Sequence, residues 1–168
     1  MVQVYESPQE LNGLNQISLF LAGGIDRAPD WQKDAIAYLN HNHDDLNLAV
    51  LNPRRSTPFS KDDYESRIEQ VTWEFENLRH ANSILFWFPD NAPCTTSLFE
   101  LGFWINHFKT FVGVNPGHYK ERSIKMQISL LNNLRKGHFE EVKVENTLEN
   151  TLDNAINYLR TLHNDIQF

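Results

Sequence analysis

The chain has a single cysteine, Cys94, among its 168 residues. That excludes an internal disulfide and fits a reducing, cytoplasmic compartment. Basic residues are short: 15 Lys and Arg stand against 22 Asp and Glu, a formal net charge of −7. Without a basic stripe to neutralise phosphates, a surface for polymeric nucleic acid is not expected. No apolar run approaches the roughly 20 residues that a membrane-spanning helix needs, and no positively charged, apolar leader is expected. Seven histidines prompt a search for metal ligands. The closest pair, His41 and His43, precedes Asp44-Asp45 in a polar stretch, and no second ligand pair stands at metal-site spacing. It reads as solvated surface, and neither a metal nor a cofactor is expected. No repeat, linker or low-complexity stretch divides the sequence. Residues 1–168 read as one domain, large enough to bury roughly 70% of the unfolded surface.

What is present is alternation. Val2-Gln3-Val4-Tyr5 is a candidate edge strand. Ile17 to Ala22 is nearly all apolar, the pattern of a central parallel strand covered on both faces. It runs into Gly23-Gly24, with no third glycine at the spacing of the dinucleotide fingerprint. This pair reads either as a tight turn or as a strand end that a ligand approaches closely. Pro29-Asp30 opens a helix from Trp31 to about Asn40, with Trp31, Ala35, Tyr38 and Leu39 inward. Asp30 is its natural N-cap and would also face the crevice. Leu46 to Leu51 is the second strand, followed by Asn52-Pro53-Arg54-Arg55. Its two arginines read as a bidentate phosphate or carboxylate site, or equally as exposed charge.

Asp62 to His80 is a long amphipathic helix with Ile68, Val71, Phe75 and Leu78 as its core face and Glu74 on the rim. Ser83 to Phe88 and Lys109 to Val114 are the third and fourth strands, and Asn115 to Tyr119 a loop over the crevice. A helix from about Ile124 to Arg135, a fifth strand around Val142 to Val144 and a closing helix marked by Leu148, Leu152, Ile156, Leu159 and Leu162 follow. This order predicts a three-layer, doubly wound α/β domain with a parallel sheet of five strands in the order 2-1-3-4-5. The loops after strands 1, 2 and 3 would converge at its switch point.

Ser97-Leu98-Phe99-Glu100-Leu101-Gly102 follows the third strand and a turn-rich segment, Pro89 to Pro93. Ser97-x-x-Glu100 is a capping box, and the glutamate read that way only ties down a helix start. Two features favour chemistry instead. Gly102 costs about 1 kcal/mol in a helix, which suggests a need for close approach. Glu100 also heads an apolar ridge of Leu101, Trp104, Ile105 and Phe108 rather than lying among solvated residues.

In sequence order, Ile17 to Ile25, Asp30-Trp31-Gln32, Leu51 to Arg55, Trp73-Glu74, Phe86 to Pro89, Ser97 to Gly102 and Lys109 through Val112-Gly113 to Pro116-x-x-Tyr119 resemble the nucleoside 2-deoxyribosyltransferase-like proteins, over about residues 15 to 130. The resemblance implies a flavodoxin-like fold, assembly into homodimers or larger homo-oligomers, and cleavage of the N-glycosidic bond of deoxynucleosides or deoxynucleotides. It assigns Glu100 as the nucleophile and brings Glu74 near the active site. One departure stands out. The transferases carry an aspartate six residues before the nucleophile, where this chain has Cys94; Asp90 is the nearest substitute. The Arg54-Arg55 pair belongs to a divergent branch of the family.

The chemistry expected is therefore attack by Glu100 on an anomeric carbon, with transfer to another base or to water. Glu100 has to be ionised near neutral pH, and a helix N-terminus at Ser97 would favour that. Asp30, then Glu74, is the candidate acid for the departing base. Trp31 or Trp87 would stack on the base, Asn52 with Arg54 would hold a polar or phosphate end, and Tyr119 would lie over the site. High aromatic content, four Trp and eleven Phe, points to a subunit interface. The alternative is a nucleotide- or NAD-like-binding sensor or inhibitor without turnover.

Overall fold

The computed structural model describes residues 1–10, 16–56, 63–137 and 140–166, the last four of these as backbone only. Strands β2 (Ile17–Gly23), β3 (Leu48–Asn52) and β4 (Ser83–Phe88) are buried at every residue, as parallel strands covered on both faces must be. They form the middle of a sheet with β1 (Val2–Glu6), β5 (Thr110–Val114) and β6 (Val144–Glu145) in the order β1-β3-β2-β4-β5-β6. Every pairing is parallel.

The sheet has six strands rather than the five expected. The extra one is the amino-terminal edge: Val2 to Glu6 pairs with Leu48 to Asn52, residue for residue. Val2 and Val4 pack on the core beside β3, and the Met1 ammonium donates to the Leu46 carbonyl at 2.7 Å. The other five strands keep the expected order. The fifth of those was expected around Val142, but β6 starts at Val144. The Asn132 carboxamide occupies Val142 instead, accepting from its N–H at 3.0 Å and donating to its carbonyl at 2.9 Å.

Alternate residues of each strand face opposite layers. Leu19, Leu21, Val50, Leu85 and Trp87 pack with helices α1 (Trp31–Asn42) and α5 (Leu148–Ile166). Phe20, Ala22, Phe86, Phe88 and Val112 pack with α2 (Tyr64–His80), α3 (Thr95–Trp104) and α4 (Glu121–Arg135). None of the described helices is long and apolar enough to cross a membrane.

Two expectations about helix faces change. Ile68, Val71 and Phe75 of α2 are 43%, 58% and 48% exposed, and only Leu78 of the expected core face is buried. The inward face carries Trp73, Asn77 and Leu78, with Gln70 and Glu74 in register above them. The spacing is helical, but three of its positions, Gln70, Glu74 and Asn77, are polar, which hid it from a reading by hydrophobic period. The expected start at Asp62 lies outside the described residues; Asp63 caps α2, accepting from Ser66 N–H at 3.3 Å. His43 is likewise not solvated surface. Its Nε2 lies 3.0 Å from an Asp153 oxygen that also accepts from the Tyr38 hydroxyl, joining α1 to α5.

Candidate active site

The carboxyl ends of β2, β3 and β4 lie side by side, so the loops after them meet. Their backbones are held together closely. At Gly23, a Cβ would fall 2.2 Å from the Trp87 carbonyl and 2.7 Å from the Trp31 ring. At Gly24, one would fall 2.8 Å from Cys94 Sγ. The tight approach at this glycine pair is thus to the protein itself. Trp31 Nε1–H then donates to the Gly24 carbonyl at 2.9 Å, fixing the turn.

Helix α3 begins two residues before the expected capping serine. Its N-cap is Cys94, in left-handed backbone geometry at φ 47° and with no side-chain capping bond. Ser97 is the third helical residue, buried rather than capping. Glu100 is the sixth, a full turn beyond the start, so no capping box forms. Gly102 answers no close approach within the chain, because a Cβ there would meet nothing within 4 Å.

Between these loops and α2 lies a cavity of about 590 Å³. Gly23, Gly24, Arg54, Arg55, Ser97 and the two glutamates, Glu74 from α2 and Glu100 from α3, line its wall. Glu100 is pushed up to about 7, first by burial and then by Glu74 beside it. Burial also raises Glu74, against the opposing pull of a Gln70 hydrogen bond and of Arg55. The expected help from the helix N-terminus is outweighed. The dipole acts mainly within the first turn, and Glu100 stands beyond it. Glu100 therefore retains its proton up to about neutral pH, and its titration is coupled to that of Glu74. Cys94 does not compete in this chemistry, since burial pushes its thiol up to about 11.

Both arginines are engaged by the protein. Arg54 donates from Nε to Gln32 Oε1 at 3.0 Å and from Nη2 to the carbonyls of Ile25 and Pro29, and its Nε lies 3.2 Å from Asp30. It straps the glycine turn to the start of α1. Arg55 donates from Nε to Gln70 at 2.6 Å and from Nη2 to Glu69 at 2.5 Å. Asn52 is buried, and its Oδ1 accepts from Arg54 N–H at 3.0 Å.

Besides Asn52, five of the sequence-chosen residues lie outside the cavity wall. Asp30 is exposed and caps α1, accepting from Lys33 N–H at 3.3 Å. Trp31 and Trp87 are 3% and 5% exposed within the core beside α1 and α5, so neither indole offers a face to a base. Asp90 backs against Gly117, where a Cβ would meet its carboxylate at 2.8 Å. Tyr119, the fifth, supports the wall from outside by donating to the Pro93 carbonyl at 3.2 Å. Its neighbour His118, which the sequence did not single out, is buried with Nδ1 accepting from Lys120 N–H and Nε2 facing the Ala92 carbonyl at 3.1 Å. Gln70 was missed too; its signal was its place one helical turn before Glu74.

A larger cavity, about 750 Å³, lies between β5, β6 and α5. Its Lys109 is ion-paired with Glu140 and stands 5.0 Å from the Tyr158 ring centre. The smaller cavity, with two carboxyls raised by burial, is the stronger candidate for chemistry.

A family model described as nucleoside 2-deoxyribosyltransferase like matches residues 16–118, more than half of the chain. That span contains every residue of the cavity wall, from Phe20 to Glu100. A comparison with curated proteins found no match.

Proposed function

The chain belongs to the nucleoside 2-deoxyribosyltransferase-like family, and from that premise we propose that it cleaves the N-glycosidic bond of a (deoxy)nucleoside or (deoxy)nucleotide through a covalent ester on Glu100. The family match supports glycosyl transfer in general; the nucleophile and the acid are our reading of the site. The observation that carries it is the Glu74–Glu100 pair, two carboxyls on separate helices at one cavity, both raised by burial.

In the competent form Glu100 is ionised and Glu74 protonated. A Glu100 oxygen bonds to the anomeric carbon as the bond from that carbon to the base nitrogen breaks. Glu74 delivers its proton to the departing base. The developing positive charge on the sugar is stabilised by the carboxylate that then traps it, the logic of a retaining glycosidase. In the second half, a base nitrogen or water attacks the same carbon, Glu74 takes up its proton, and Glu100 is released. Glu74 rather than Asp30 takes the acid role because only Glu74 lines the cavity.

The test is release of free base from a panel of deoxynucleosides, their monophosphates and NAD. Glu100→Gln, nearly isosteric and a poor nucleophile, is expected to keep fold and binding while turnover falls by about 10⁴-fold or more. Wild-type turnover in that variant would overturn the mechanism. Ligand binding without base release from the wild-type protein would favour the sensor alternative.

We also propose that the protein assembles with a second copy through the α2–α3–α4 layer. Val71, Phe75, Phe99, Phe103, Leu130 and Leu134 are all 48% exposed or more on that layer. Among the described side chains of α1 and α5, no large hydrophobic is exposed. One-sided apolar exposure of this kind marks an interaction surface.

A further inference from the structure

Gln70 lies on α2 and its carboxamide makes four hydrogen bonds. Its Oε1 accepts from Arg55 Nε–H at 2.6 Å and from the Ser7 hydroxyl at 2.8 Å. Its Nε2 donates to the Pro53 carbonyl at 2.8 Å and to Glu74 Oε1 at 2.8 Å. The amide cannot be turned the other way. A guanidinium only donates and a carbonyl only accepts, so the oxygen must face Arg55 and the nitrogen must face Pro53 and Glu74. Two lone pairs and two N–H groups are the whole capacity of an amide, and all are used. The partners come from the end of β1, the loop after β3 and α2 itself. Rotation of the amide would break bonds to three segments at once.

An N–H aimed at Glu74 Oε1 commits that oxygen as an acceptor. We infer that Gln70 is a positioning residue: it holds the Glu74 carboxyl so that Oε2 carries the proton delivered to the departing base. This rests on the reading of the two glutamates as acid and nucleophile. The charged and titratable groups around the pair are Glu100 from α3, Cys94 at the start of α3, Arg54 and Arg55 from the loop after β3 with Glu69 behind Arg55 at 2.5 Å, and Asp26 on the cavity wall after β2. Beside them, the neutral Gln70 bonds to the acid itself, and that bond favours the ionised form against the effect of burial. Removing it increases the proton affinity of the pair.

The experiment reads protonation directly, without substrate. In wild-type protein carrying ¹³C-labelled glutamate and ¹⁵N-labelled glutamine, the Gln70 side-chain amide resonance is expected to move with pH at the same midpoint as the Glu74 carboxyl. Gln70→Met removes all four bonds, and Gln70→Glu leaves an acceptor facing Glu74. Both are expected to raise that midpoint, by about half a pH unit or more. The basic limb of the kcat/KM profile should rise with it, and kcat should fall more than KM changes. A Gln70 resonance indifferent to pH would overturn the inference. So would an unmoved midpoint in variants that lose only thermal stability, which is what a purely structural tie would give. If Gln70→Met does not fold, the wild-type titration and Gln70→Glu decide. A linked titration in a protein that releases no base from any substrate supports the proton placement and overturns the glycosidic reading instead.

Discussion

Glu100 pits stability against chemistry. Its carboxyl is raised from 4.5 to about 7 in the folded chain, so the folded state binds a proton more tightly than the unfolded one. The sign follows: this group's contribution to stability is greatest below about pH 4.5 and is lost as pH rises toward 7. The full penalty at pH 8 is up to about 3 kcal/mol for this group. Glu100→Gln should therefore be more resistant to urea than wild type at pH 8, with the difference shrinking to nothing below about pH 4.5. Equal midpoints at both pH values would mean that the residue is not desolvated. Activity needs Glu100 without its proton and Glu74 with one. Base release is expected to rise as pH approaches 7, where Glu100 ionises, and to fall where Glu74, raised by burial, gives up the proton it must deliver. Glu74→Gln should lower turnover by about 10²- to 10⁴-fold and abolish that basic limb. A variant that keeps the limb would move the acid elsewhere.

Among the elements, α1 and α3 show how a helix start can be read correctly in outline and wrongly in role. Asp30 caps α1 and pairs with Arg54 at 3.2 Å. Asp30→Asn preserves the cap, and base release is expected to stay within a few-fold of wild type. Asp30→Ala removes it and should cost about 1 kcal/mol in a denaturation experiment. A large loss of turnover in Asp30→Asn would restore that residue as the acid. The element α2 depends on a mixed face. Trp73 and Leu78 anchor it, Trp73 Nε1–H donates to the Gln9 carbonyl at 2.8 Å, and Gln70 and Glu74 ride on the same side toward the cavity. A hydrophobic-period reading chose Ile68, Val71 and Phe75 because it could not credit polar residues with an inward position.

For the whole molecule, the unequal layers matter most. All four tryptophans are buried, at 3% to 8% exposure, so they are absorbed by one chain's core. The apolar excess sits instead on the outer side of α2, α3 and α4, next to the helices that supply Glu74 and Glu100. Light scattering at micromolar concentration is expected to give a dimer or larger assembly. Phe99→Glu with Val71→Glu should shift it toward monomer, since buried unpaired charges oppose association. A wild-type monomer would refute the proposed assembly.

The sequence by itself determined the layered α/β architecture, the order of the five strands from β3 to β6, and the convergence of their loops. Continuous apolar runs such as Ile84 to Phe88 and turn residues such as Gly23-Gly24 are local signals, and strand–helix alternation leaves few arrangements open. It also singled out Glu100 and Glu74, through motif and resemblance. Only the tertiary structure decided what surrounds them. That Cys94 rather than Ser97 starts α3, that Trp31 and Trp87 close on the glycine turn, and that Arg54 straps the loops are outcomes of packing between segments distant in sequence. The same holds for the raised carboxyls of two glutamates 26 positions apart, Glu74 and Glu100. Burial and mutual repulsion set their protonation, and both arise only when α2 and α3 pack against one sheet.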